Sequence, residues 1–211
     1  MTTLSQYITQ CRRLLHDANA NFWSDAELTD YINAARARLV RDTGCLRTIQ
    51  TVNTVTQQEV YQFSALPSGT QTMDILNINL YWGNTRVPLR YLPWTQFNAE
   101  LRFWQNYIGR PIAFSIYGQQ AFYLSPNPDQ VYQMELDTVI LPTDLVNGTD
   151  VDPIIPPWTD PVAYYACHTA KFKEQSYGEA EIFLNQYKAK ALSVLNTTFT
   201  RRLPDPYSSP Y

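Results

Sequence analysis

A chain of 211 residues, 45% hydrophobic and 17% charged, is long enough for one good core, or for a core domain with a second small module. Its formal net charge of -3 disfavours a protein that holds nucleic acid by neutralising phosphates. No apolar run reaches 18 residues and no charged, apolar, small-residue start is present, so neither a membrane span nor a secretory signal is expected, and synthesis is expected in the cytoplasm.

Helical spacing comes first in the chain. Leu4, Tyr7, Ile8, Cys11, Leu14 and Leu15 predict a helix over about residues 3–17. After the short connection "DANAN", residues 22–44 read "FWSDAELTDYINAARARLVRDTG" and carry every device of a second helix. Ser24 is placed to cap the orphan amides, with Glu27 reaching back to the cap and Trp23 stapling onto Leu28. Leu28, Tyr31, Ile32, Ala35 and Leu39 form one apolar stripe, and Gly44 supplies the left-handed stop.

From Leu46 the period changes from 3.6 to 2. "LRTIQTVNTV", "EVYQFSAL" and "DILNINLYW" predict strands. "WGNTRVPLR" predicts a hairpin turning at Gly83 and Asn84, with Pro88 either confining its second strand to an edge or ending it. Helical spacing returns through Phe97, Leu101 and Trp104, with Pro93 at its start. Two or three further strands follow, one turn at Gly118 and Gln119 and another over residues 126–129. Residues 142–158 hold four prolines and no period, and are expected to run over the surface as a linker. Asp160 and Pro161 then read as a cap and first turn. Val162, Tyr165, Ala166 and Thr169 give one face, and the small residues Ala163, Ala166, Cys167 and Ala170 a second, expected to meet the next helix. After Gly178 the stripe Ala180, Phe183, Leu184, Tyr187, Ala191, Val194 and Leu195 runs to about Phe199.

The expected fold is α+β: a four-helix layer from the N- and C-terminal helix pairs with an inserted β-rich module. The expected division is a discontinuous helical bundle domain (1–45 and 158–203), a β-rich module (46–141), a Pro-rich linker (142–157) and an extended C-terminal arm (204–211).

No pattern points to catalysis. His16 and His168 are the only histidines, and adjacent Cys167 and His168 diverge by about 100° on a helix, which prevents a nucleophile and base pair. Cys11, Cys45 and Cys167 are odd in number and far apart, so they read as small core residues and not as a disulfide framework or zinc site. Asp144, Asn147, Asp150 and Asp152 lack calcium-loop spacing and read as a solvated loop. No enzyme activity, cofactor or metal is expected. Arg12, Arg13, Arg36, Arg38, Arg41 and Arg47 near a helix pair raise a DNA-binding regulator as the alternative function. On the second helix, however, Arg36, Arg38 and Arg41 fall at about 80°, 280° and 220° from Leu28, flanking the apolar stripe instead of forming one phosphate-facing row. Pairing with Asp30 or Asp42 on a solvated face, or salt bridges between subunits, fits that spacing better.

The 15 tyrosines, 5 tryptophans and 14 prolines suit either an aromatic β-rich core or interfaces with extended arms. Tyr81, Trp82 and Trp104 are the interface candidates in the β-rich module. The terminal "RRLPDPYSSPY" cannot continue a helix past Pro204 and Pro206. It reads either as a frayed end or as an arm whose Arg201, Arg202, Tyr207 and Tyr211 dock on a partner.

The first helix ending in "RRLL.D", the segment "WSDAELTDYINAARARLVRDTG", a β-rich middle and "PPWTDPVAYYACHTAKFKE" before a long last helix together resemble the head-to-tail adaptor (connector, head completion) proteins of tailed bacteriophages. That resemblance implies a homo-oligomeric ring, typically a dodecamer, in the virion at the head-tail junction. Such a ring sits under the portal protein, extends the DNA channel and presents a surface to a tail or nozzle protein. DNA passes through without specific binding, a role that the acidic balance suits.

Overall fold

The switch of period at Leu46 is also the switch of architecture. A computed structural model describes residues 1–102, 107–118 and 120–200. In chain order these form α1 (Leu4–Leu15), α2 (Asp25–Thr43), β1 (Arg47–Asn53), β2 (Val60–Gln62), β3 (Thr72–Trp82), β4 (Thr85–Pro88) and β5 (Arg90–Tyr91). They continue as α3 (Trp94–Glu100), β6 (Ile108–Gly109), β7 (Ala113–Tyr117), β8 (Ala121–Ser125), β9 (Asn127–Pro128), β10 (Gln133–Ile140), α4 (Val162–Lys173) and α5 (Tyr177–Thr200). The fold is α+β. Two compact units divide it: residues 1–45 with those from Pro142 onward, and residues 46–141.

In the helical unit the caps set the helix limits. At α1 the Thr3 N–H donates to Gln6 Oε1 at 3.0 Å, and His16 stops the helix in the left-handed region at φ 56°. At α2, Ser24 Oγ accepts from the Glu27 N–H at 3.2 Å, and Gly44, at φ 61°, donates to the Val40 carbonyl at 2.7 Å. The return bond expected from Glu27 is absent, because its carboxylate instead accepts from the Tyr31 hydroxyl at 2.8 Å and pairs with Lys173 of α4. Pro161, not Asp160, occupies the cap position of α4.

Leu4, Tyr7, Cys11, Leu28, Ile32, Ala35, Leu39, Ala166, Tyr187 and Ala191 belong to a single buried cluster, so all four long helices contribute to one core. The small-residue face of α4 meets α1. Cys11 Sγ donates to the Ala163 carbonyl at 3.9 Å and Cys167 Sγ to the Cys11 carbonyl at 3.8 Å. α5 meets α4 through bulkier groups: the Tyr165 and Tyr187 rings lie 5.1 Å apart, and His168 Nδ1 is 2.8 Å from the Ala180 carbonyl.

The Pro-rich stretch after β10 is not a surface linker throughout. Leu145, Asp152 and Ile154 are buried, because its backbone groups find partners in the helices. The Leu4 N–H donates to Asp150 O at 3.1 Å, the Asp152 N–H to Thr2 O at 2.9 Å, and Asn33 holds both the N–H and the carbonyl of Leu145 at 3.0 Å.

The second unit contains an antiparallel sheet in the order β1-β10-β3-β4 and a second sheet in the order β2-β8-β7-β5. Ile75, Ile78, Leu80, Met134 and Leu136 of the first share a buried cluster with Tyr61, Phe114, Phe122 and Leu124 of the second. β3 and β4 form the expected hairpin, with Trp82 opposite Thr85 and Gly83 at φ 59°, and β4 with its Pro88 is an edge. Where a turn was expected over residues 126–129, Asn127–Pro128 instead forms a short strand pairing parallel with Ile108–Gly109.

Candidate assembly surfaces

Trp82 ends β3 at the tip of the hairpin, where a two-residue turn leaves the residue 54% exposed. The Arg110 guanidinium lies over that ring at 4.4 Å, which fixes an amphipathic anchor before any partner arrives. Tyr81 points to the other face. Its hydroxyl donates to Glu135 Oε2 at 2.8 Å and accepts from Arg86 Nη2 at 2.7 Å, and Arg86 also pairs with Glu135 at 3.0 Å. Tyr81 is therefore engaged in a network across β3, β4 and β10. Trp104, Arg201, Arg202, Tyr207 and Tyr211 lie outside the described residues.

A second aromatic surface escaped the sequence reading. Trp94, the first residue of α3, lies 4.6 Å from both Tyr117 and Tyr123, and the Arg102 guanidinium stands 5.4 Å from the Trp94 and Tyr123 rings. Glu59 holds Arg102 in place at 2.6 Å. The signal was a tryptophan directly after Pro93 with a tyrosine on each strand of a hairpin, but their convergence depends on the sheet register, which sets Tyr117 opposite Ala121 and Tyr123 opposite Ser115.

The helical unit carries a groove of about 730 Å³ between α1, the first half of α2 and residues 144–148. Ile8, Ala26, Leu145 and Val146 give it an apolar lining, and the exposed carboxylates of Asp30 and Asp144 stand on it. Arg12 lines the groove too, paired with Asp17 at 3.3 Å and with Asp25 at 2.6 Å.

Of the arginines near the first helix pair, Arg36 faces inward, Arg12, Arg38 and Arg47 pair locally, and Arg13 and Arg41 are exposed. Arg36, expected on a solvated flank, is fully buried: its Nε and Nη2 bind the two oxygens of Asp152 at 3.0 and 2.9 Å, and Nη1 donates to Asn33 Oδ1 and the Thr143 carbonyl. Arg38 pairs with Asp42 at 2.9 Å, as its i,i+4 spacing predicts. No base-reading row results.

The Cys167 thiol is pushed far above its ordinary range by its contact with Cys11 and by burial, so it does not supply a thiolate. Cys11 and Cys167 are buried, Cys45 is half-buried, and all three are free thiols. Asp150 accepts the Val146 and Asn147 N–H groups and Asp152 is committed to Arg36, so the acidic loop residues serve separate local purposes. Among the described residues, no group of three or more His, Cys, Asp or Glu is placed to hold a metal ion, and no helix is long and apolar enough to cross a membrane.

No curated protein matches the chain. A family model described as "SU10 adaptor protein" matches residues 2–210, spanning the helical ends and the β-rich middle alike. The chain belongs to the SU10 adaptor protein family and is a structural adaptor of a bacteriophage virion, as its helical signatures led one to expect.

Proposed function

We propose that copies of this chain assemble into a ring, a dodecamer, that stacks under the portal protein, extends the DNA channel and receives a tail or nozzle protein. The observation that carries this reading is the family match over residues 2–210. Two features are compatible with it. A net charge of -3 suits a channel wall along which DNA slides without sticking. The exposed, cation-backed Trp82 is the kind of rigid aromatic that anchors an interface, and it is the candidate for the tail-side contact. A DNA-binding regulator loses support, since Arg36 is buried and Arg12 and Arg38 pair with neighbouring carboxylates.

Mixing the purified chain with portal rings and imaging the product tests the reading. A second ring stacked on the portal is expected, and Trp82→Ala should preserve that stack while weakening capture of the tail protein. Portal rings that stay bare rule the proposal out. Sedimentation of the chain with duplex DNA at moderate salt addresses the rival, which requires a shift.

A further inference from the structure

The α1–α2 groove combines an apolar lining with two exposed carboxylates, Asp30 and Asp144, that have no ion-pair partner among the described residues. Its complement is in the same chain. Residues 201–203 are Arg, Arg and Leu, followed by prolines and Tyr207, which offers two cations beside apolar groups on a segment whose prolines limit its free conformations. We propose that the groove takes the C-terminal arm of a second copy, with Arg201 and Arg202 on Asp30 and Asp144 and Leu203 with Tyr207 over Ile8, Ala26, Leu145 and Val146.

The course of α5 decides which copy supplies the arm. Lys173, at the end of α4, pairs with Glu27 at the start of α2, and Lys171 pairs with Glu179 at the start of α5. Eight residues later, the Tyr187 hydroxyl donates to Asp42 at 2.8 Å, at the opposite end of α2. α5 therefore runs with α2, away from the groove, and continues to Thr200. Thirteen further residues carry its end about 20 Å beyond Tyr187, while the groove lies about 18 Å back from Asp42 along α2. Two residues beyond the helix can span at most about 7 Å. That limit falls well short of the chain's own groove. The contact is thus heterologous: each copy donates an arm at one end and receives one at the other, a geometry that closes into a ring when the rotation permits.

This inference rests on the multi-copy assembly proposed above, and its test runs in solution without the portal. Full-length chains carrying Cys45→Ser, one with Leu203→Cys and one with Val146→Cys, are mixed and treated with a bis-maleimide. A crosslinked heterodimer is expected from the mixture and not from either chain alone. Arg201→Glu with Arg202→Glu on the arm chain should lower its yield about tenfold or more, and Asp30→Lys with Asp144→Lys on the groove chain should restore it. Absence of the heterodimer, or a yield indifferent to these reversals, overturns the assignment. A chain that stacks on portal rings yet gives no heterodimer, in solution or on the ring, sinks the groove and leaves the adaptor role standing. A charge-dependent heterodimer from a chain that ignores the portal does the reverse.

Discussion

Arg36 and Asp152 are both fully buried, and breaking their pairing alone leaves a charge in a place water does not reach. The carboxylate also accepts from the Tyr7 hydroxyl at 2.8 Å and the Ile154 N–H at 2.9 Å, so one residue joins α1, α2 and the segment preceding α4. Arg36→Ala should destabilise the chain by about 3–5 kcal/mol, read as a lower urea midpoint, whereas replacing both partners with apolar residues of similar volume should cost far less. Equal losses in the two experiments would mean that packing, not the stranded charge, sets the effect. This pair was invisible in the sequence, since a helix wheel reports a residue's direction but not a partner 116 positions away. Asp17 behaves differently with pH. Burial pushes its carboxyl up, but the Trp23, Asn21 and Phe22 N–H groups and Arg12 outweigh burial and hold it below the usual carboxylate range. A depressed folded-state value stabilises the protein above the unfolded value, near pH 4, and that contribution is lost as pH falls through the folded value. Asp17→Asn should therefore be less stable than the natural chain at pH 7, with the gap narrowing as pH falls below about 4. A gap that does not narrow on acidification would remove the charge from the explanation.

At the scale of elements, α2 was legible because its signals are local: a serine cap, a stripe at one period and a glycine stop, each acting within four residues. Ser24→Ala should cost about 1 kcal/mol by stripping the Glu27 N–H of its acceptor. An unchanged midpoint would show that the Ser24–Glu27 bond contributes nothing to holding the helix start. α1 ended two residues earlier than its spacing predicts because His16 adopts the left-handed conformation, a role that sequence assigns far more readily to glycine. Two-residue strands such as β5, β6 and β9 have no period to read, and they exist because a distant strand offers them partners. The groove between α1 and α2 has the same character. Part of its lining comes from residues 145 and 146, which no periodicity ties to the first helix pair.

For the whole molecule, the change of period at Leu46 and the return to helices made the α+β order readable, while the burial of the Pro-rich return segment depended on the Leu4 and Asn33 contacts that only the folded chain assembles. The path of the chain gives one further prediction. β1 and β10 are antiparallel neighbours with Arg47 opposite Val139, and the Ile140 N–H donates to Leu46 O at 3.1 Å. The β-rich unit thus begins and ends at adjacent positions, about 5 Å apart. A Gly-Ser link of about four residues can join Cys45 to Pro142 in its place. The buried cluster of the helical unit draws none of its members from residues 46–141, so the shortened chain should keep its helical circular dichroism and unfold cooperatively. With the β-rich unit gone, Trp82 and the Trp94 surface go too, and capture of the tail protein should be lost while stacking on portal rings persists. Tail protein still recruited by the shortened chain would transfer that contact to the helices. A shortened chain that stays folded but no longer stacks would show that the portal reads the β-rich unit instead.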